Sequence, residues 1–204
     1  MVESRTPTPA GRARRAAIIQ AALRQFLAQG VTATTLKDIQ RDSDSSNGSI
    51  YHHFESKEAL AGAVYADCAA RYQRAFLDEL RRHDDAEAAV KGIVRMHLAW
   101  CADNPELARF LATISEPTVL EAAARELAEL NERFATAILA WWRPHAHYGS
   151  LRPLTPAQSQ ALWLGPAQEL VRSWLLGVMA EPPTDADAEV LAEAAWLCLR
   201  AGGG

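Results

Sequence analysis

Thr35, Asn47, Gly48, Ser49, Tyr51, His52 and Lys57 stand close together in the first third of a 204-residue chain. Asn47 and Ser49 are short and polar, and at the exposed start of a helix such side chains bond base edges in a major groove. Tyr51, His52 and Lys57 follow, and phenol, imidazole and ammonium donors suit phosphate oxygens. Gly48 adds no side chain, so a helix carrying it can approach a duplex closely. Thr35 opens a second short helix, whose free N–H groups offer another phosphate site. The chemistry predicted is recognition of double-stranded DNA. Charge agrees with it. Residues 1–57 hold eight Lys/Arg against five Asp/Glu, and residues 58–204 hold thirteen against twenty. A small basic head on an acidic body fits a head that meets a polyanion.

Placing these residues takes two short helices and a tight turn. Thr35-x-x-Asp38 has the form of a capping box, with Leu36 and Ile39 as the apolar face behind it. The run Asp42 to Ser46 breaks that helix, because such residues favour turns and N-caps. A third helix, about 47–53, turns Ile50 and Phe54 inward. Before them, residues 12–29 carry Ala16, Ile19, Leu23, Phe26 and Leu27 at helical spacing, and Gly30 is the expected terminator. Residues 1–11, with Thr6-Pro7-Thr8-Pro9, read as a disordered arm. The result is a candidate helix-turn-helix domain over 12–55. A small helical bundle without that role would also show capped helices and polar surface residues.

The strings Ala21-Ala22-Leu23-x-x-Phe26, Gly30, Thr34-Thr35-Leu36-x-Asp38-Ile39 and Gly48-Ser49-Ile50-Tyr51-His52-His53-Phe54-x-Ser56-Lys57-Glu58-Ala59-Leu60 resemble the N-terminal domain of the TetR family of bacterial transcriptional regulators. The resemblance covers about residues 15–65. It implies an all-α homodimer of nine-helix chains whose first three helices bind operator DNA. Middle helices would enclose a small-molecule effector, and the last two would form the dimer interface. The family's DNA contacts carry over to Thr35, Ser46, Asn47, Gly48, Ser49, Tyr51, His52 and Lys57. Members often have Ala-Gly-Val-Ser-Lys where this chain has Ser43-Asp44-Ser45-Ser46-Asn47. Asp44 then stands where Gly usually takes a left-handed conformation, which Asp tolerates better than most residues. Ser45 replaces a half-buried apolar residue and weakens head packing. Asn47 replaces a common Lys, losing a charge and gaining base-reading capacity.

The body, 56–201, is expected to bind ligand and dimerise. Forty residues of the chain are Ala, and with Leu, Glu, Arg and Gln they favour helix. No run of alternating β-branched residues is long enough for a strand. Ser56 caps a helix to about Arg82, and others run to about Asp103, Ile114, Ala146, Val178 and Arg200. Gly165-Pro166 is expected to kink the eighth. His97, Trp100, Phe110, Asn131, Phe134, Trp141 and Trp142 are the candidate ligand residues, aromatic walls with His97 and Asn131 as polar handles. The same stripes also serve as plain core. A mostly apolar or aromatic effector fits them better than a phosphate or a sugar. Trp163, Leu170, Trp174, Val190 and Leu197 are the candidate dimer interface, unless the last helices simply pack on the body.

Other chemistries find no residues. His145-Ala146-His147 lacks a third ligand at metal spacing and reads as a solvated helix end. Gly-rich phosphate loops, Gly-x-Ser-x-Gly and His-Glu-x-x-His are absent, so no enzyme activity and no cofactor are expected. Three scattered Cys, no apolar run of membrane-spanning length and no apolar leader segment point to the cytoplasm. The expected protein is a repressor released from a palindromic operator by its effector. The rival is a helical small-molecule-binding protein whose head has lost operator binding.

Overall fold

The computed structural model describes residues 8–202, apart from the side chain of Asn47. Residues 1–7 of the expected arm and the last two glycines of the tail lie outside them. The described residues form α1 (Pro9–Ala33), α2 (Leu36–Ser43), α3 (Asn47–His53), α4 (Lys57–Leu80), α5 (Ala86–Asp103), α6 (Pro105–Thr113), α7 (Pro117–His147), α8 (Pro156–Trp163), α9 (Gly165–Leu175) and α10 (Asp185–Leu199). The chain is all-α, as expected.

Two boundaries differ from the sequence reading. Helix α1 begins at Pro9, because Thr8 caps it: its Oγ1 accepts from the Gly11 N–H at 3.1 Å. Residues 9–11, assigned to the arm, are therefore helical. The expected eighth helix is two helices, α8 and α9, and the second stops at Leu175. Pro166 has no N–H to donate one turn back and its ring crowds the preceding turn, so Gly165-Pro166 breaks the helix rather than bending it. Elsewhere the caps fall where the side chains place them. Thr155 with Gln158 and Thr184 with Asp187 form complete capping boxes. Gly30 ends the regular part of α1 with φ 81°, a conformation that favours Gly.

The chain divides into two compact units, residues 1–68 with 113–128, and residues 69–112 with 129–204. Helices α4 and α7 contribute to both. The core of the first unit is built from Ile18, Phe26, Ile39, Ile50, Leu60 and Val64. There Gly62 lets α4 lie close to the start of α7: a Cβ at 62 would stand 2.6 Å from that of Ala122. In the second unit α5 packs against α9 and α10. Leu151 and Arg200 form an antiparallel bridge that ties the loop after α7 to the end of α10. No helix among the described residues is long and apolar enough to cross a membrane.

Candidate functional site

The head is held by short-range bonds. Thr35 Oγ1 accepts from the Asp38 N–H, and the Asp38 carboxylate accepts from the Thr35 N–H at 3.1 Å and from its hydroxyl at 2.6 Å. These bonds hold the Asp38 carboxyl below the usual carboxylate range. Asp44 closes α2 in the left-handed region, φ 48° and ψ 40°, the role expected for it. Ser45 is buried, where an apolar side chain was the family habit. Its hydroxyl donates to the Ser43 carbonyl at 3.3 Å, and Arg14 donates to the Asp44 carbonyl at 3.0 Å. The turn therefore replaces apolar packing with hydrogen bonds. Asp42 is turned back onto α1, accepting from Arg24 at 3.1 Å and Gln25 at 3.4 Å, so its charge is paired.

Ser46 is the N-cap of α3 and accepts from the Ser49 N–H at 3.1 Å. Gly48, Tyr51 and His52 are exposed, and Ser49 is half-buried. Phe54 and Ile50 are buried beneath them, with Arg15 lying 5.2 Å over the Phe54 ring. Lys57 has a structural role the sequence reading missed. Its ammonium donates to the carbonyls of Thr32 at 2.8 Å and Thr34 at 3.0 Å, satisfying the end of α1 and leaving one N–H. Lysine near helix C-terminal carbonyls is the sequence signal for this, but the partners lie across the fold.

The body holds a cavity of about 390 Å³, the size of a small-ligand pocket. Helix α4 supplies Tyr72 and Phe76; α7 supplies Phe134, Ile138, Leu139 and Trp142; α8 supplies Ser159, Gln160 and Trp163. No charged side chain lines it. Of the seven expected ligand residues only Phe134 and Trp142 are in its wall. His97 is buried behind Tyr72, with the phenol oxygen 2.9 Å from its Nδ1 and no partner at Nε2. Desolvation pushes the imidazole down to about 4, so it is neutral. Trp100 stacks edge-on against Tyr72, and Phe110 is fully buried elsewhere in the second unit. Asn131 is exposed and accepts from Gln73 at 2.7 Å, and Trp141 packs on Trp163. Helical periodicity names the inward face of each helix but not which part of that face meets a gap, so Tyr72, Phe76 and the α8 residues were missed.

Trp163 must be moved from the expected dimer interface to the core. It is buried, and its indole donates to the Val90 carbonyl at 3.0 Å. Leu170 and Trp174 are half-buried, and Trp174 packs on the core of its own unit. Val190 and Leu197 are exposed, as are Leu176 and Val178 beyond the end of α9. Arg95 is committed to Glu189 through two bonds of 2.6 and 2.7 Å. Among the described residues no group of three His, Cys, Asp or Glu is placed to hold a metal ion.

Two short helices joined by a left-handed turn, with a second helix capped and exposed at its start, define a helix-turn-helix protein. Residues 18–64 match the family described as bacterial regulatory proteins, tetR family. Residues 18–64 thus carry a helix-turn-helix domain of the TetR type. Over 80 residues it is 36% identical to the HTH-type transcriptional repressor KstR2 of Rhodococcus jostii, covering 37% of this chain and 35% of that one. The match thus spans about a third of that relative. The icaADBC regulator IcaR of Staphylococcus epidermidis is 25% identical over 130 residues, 62% of this chain and 68% of that one. The fold as a whole resembles a TetR family regulator from Marinobacter aquaeolei, with a TM-score of 0.76 and 22% identity over 94% of this chain and 97% of that one.

Proposed function

We propose that the protein is a dimeric transcriptional regulator, a repressor that leaves a palindromic operator when a mostly apolar effector binds its body. The observation that carries this reading is the head: α3, capped by Ser46, starts with exposed Gly48 above a buried Ile50 and Phe54. In the major groove Asn47 and Ser49 meet base edges. Thr35, Ser46, Tyr51, His52 and the remaining Lys57 N–H meet phosphates. Val190, Leu197, Leu176 and Val178 are the exposed apolar side chains a two-fold partner would cover. An uncharged aromatic cavity supports an apolar effector. Because α4 contributes to both units, a ligand that displaces it alters the spacing of the two recognition helices. The ligand acts only through its preference for the released state, and a preference of about 100-fold is worth about 2.7 kcal/mol.

The test is a gel shift and footprint on the DNA flanking the protein's own gene. The expected result is a palindrome with half-sites about 34–36 Å apart, or multiples of that. Ser49→Ala lowers affinity for that site and leaves binding to unrelated DNA unchanged. Leu197→Glu gives monomers in sedimentation and abolishes the footprint. Equal binding to every DNA tested overturns the reading and leaves the helical small-molecule-binding protein.

A further inference from the structure

We propose that the effector is an amphiphile. Its apolar part enters the aromatic cavity, and its anionic group, a carboxylate or a phosphate, lies on an arginine-lined cleft beside it. The proposal deepens the effector reading above and rests on it. The cleft, about 310 Å³, runs between α4 and α7. It is lined by Gln73 and Arg74 from α4, by Arg81 just past its end, and by Arg133 and Phe134 from α7, with no carboxylate in its wall. Three guanidiniums gathered in one cleft run against the composition of a body with a net negative charge.

These arginines are available to a ligand. Arg81 pairs with Asp78 at 3.0 Å and Arg133 with Glu129, partners three and four residues away in the chain, with every side chain more than half exposed. Such pairs hold little energy and give way to a better-placed anion. Arg74 forms no hydrogen bond or ion pair among the described residues. Guanidinium presents two parallel N–H groups that match the oxygens of a carboxylate or phosphate. Beside them, Gln73 Oε1 is buried without a partner while its Nε2 donates to Asn131. Turning both amides over keeps that bond and puts an N–H donor where the unpaired oxygen stands, ready for an anion.

Phe134 joins the two sites, because it lines both the cleft and the cavity. The cavity offers a charge no counterion, so a charge placed there is costly. The cleft offers three. A ligand with its body on one side of Phe134 and its charge on the other satisfies both.

Two dyes with the same aromatic body test this, anilinonaphthalene sulfonate and the uncharged phenylnaphthylamine, titrated by fluorescence into the full chain without DNA. The sulfonate is expected to bind at least about tenfold tighter, a difference of about 1.4 kcal/mol. Arg74→Gln combined with Arg133→Gln removes that preference and leaves the neutral dye within about twofold. Leu139→Trp, which fills the cavity, weakens both dyes. In competition, decanoate and decyl phosphate displace the sulfonate at lower concentration than decanol or inorganic phosphate, and the more effective of the two identifies the anion. Equal affinity of the two dyes overturns the proposal, as does displacement by inorganic phosphate as efficient as by decyl phosphate. Failure here with an intact footprint removes the ligand class alone. A normal titration with no footprint removes the regulator reading alone.

Discussion

The head and the body of this protein are specified at different ranges of sequence. In the head, the groups that set the geometry are neighbours in the chain: Thr35 bonds Asp38, Ser46 bonds the Ser49 N–H, and Asp44 makes the turn by its own backbone conformation. In the body, the cavity wall gathers residues from α4, α7, α8 and α9, and Trp163 reaches Val90 across 73 positions. A surface that reads DNA needs a few side chains held at one helix start, which local caps and turns provide. A cavity is what remains when several long helices fail to fill the space between them. Its shape depends on every residue around it.

The largest test of that contrast is acid. His97 has an ordinary value of 6.5 and is pushed down to about 4 by burial, so the folded body keeps it neutral. The unfolded chain takes up a proton below about pH 6.5. Stability from this residue is therefore full above that pH and is lost as pH falls toward 4, by about 3 kcal/mol in all. Urea melts of the wild type and His97→Gln at about pH 7.5 and pH 4.5 measure it. The wild type is expected to lose about 2–3 kcal/mol more than the variant, which cannot protonate. Parallel losses would mean that water reaches the imidazole and that the body is not the dry, packed unit described.

The same contrast explains what was legible. All the short helices of the head, the capping boxes at Thr35, Thr155 and Thr184, and the left-handed Asp44 follow from residues within one turn of each other. The Gly165-Pro166 break was visible as a disturbance, but its size depended on whether packing would hold the two halves together. Trp163 illustrates the limit. On α8 it belongs to an apolar stripe that suits either an interface or a core, and only the position of the Val90 carbonyl decides between them. Lys57 shows the same limit inside the head. Its residue type fits a phosphate, whereas its nearest acceptors are two carbonyls at the end of α1.

Gly62 sharpens the comparison from the other side, because it makes a long-range contact inside the unit that contains the head. A Cβ there would stand 2.6 Å from Ala122 Cβ and 2.8 Å from the Ala123 nitrogen, distances that force the helices apart. Gly62→Ala is expected to destabilise by about 1–3 kcal/mol, the usual cost of overpacking. At this chain length that lowers the melting temperature by roughly 2–4 °C per kcal/mol. Gly165→Ala in the body is the control, since a Cβ there meets nothing within 4 Å. The gain that Ala usually brings to an open helical position is opposed there by the Pro166 ring, so stability should stay within about 1 kcal/mol of the wild type. Equal melting temperatures for the two variants would remove the close approach of α4 to the start of α7.

The smallest expected effect lies at the turn, where conformation and charge can be separated at one position. Asp44 holds φ 48°, a region that costs most residues energy and Gly almost none. Asp44→Gly should stabilise the protein by about 0.5–1 kcal/mol in urea melts. Asp44→Asn keeps a side chain that tolerates the same conformation, so stability should stay within about 0.5 kcal/mol of the wild type. Asn also removes a negative charge from the turn before α3, the helix proposed to enter the groove. Operator affinity should then rise a few-fold at low salt, and the gain should shrink as salt screens the charge. Asp44→Gly combines both changes and should bind at least as well as Asp44→Asn. If Asp44→Asn leaves affinity unchanged at every salt concentration, the carboxylate points away from the phosphates. The turn then sets only the angle of α3. If Asp44→Asn weakens binding, the carboxylate takes part in recognition, and the departure at Ser43–Asn47 is a device for base preference.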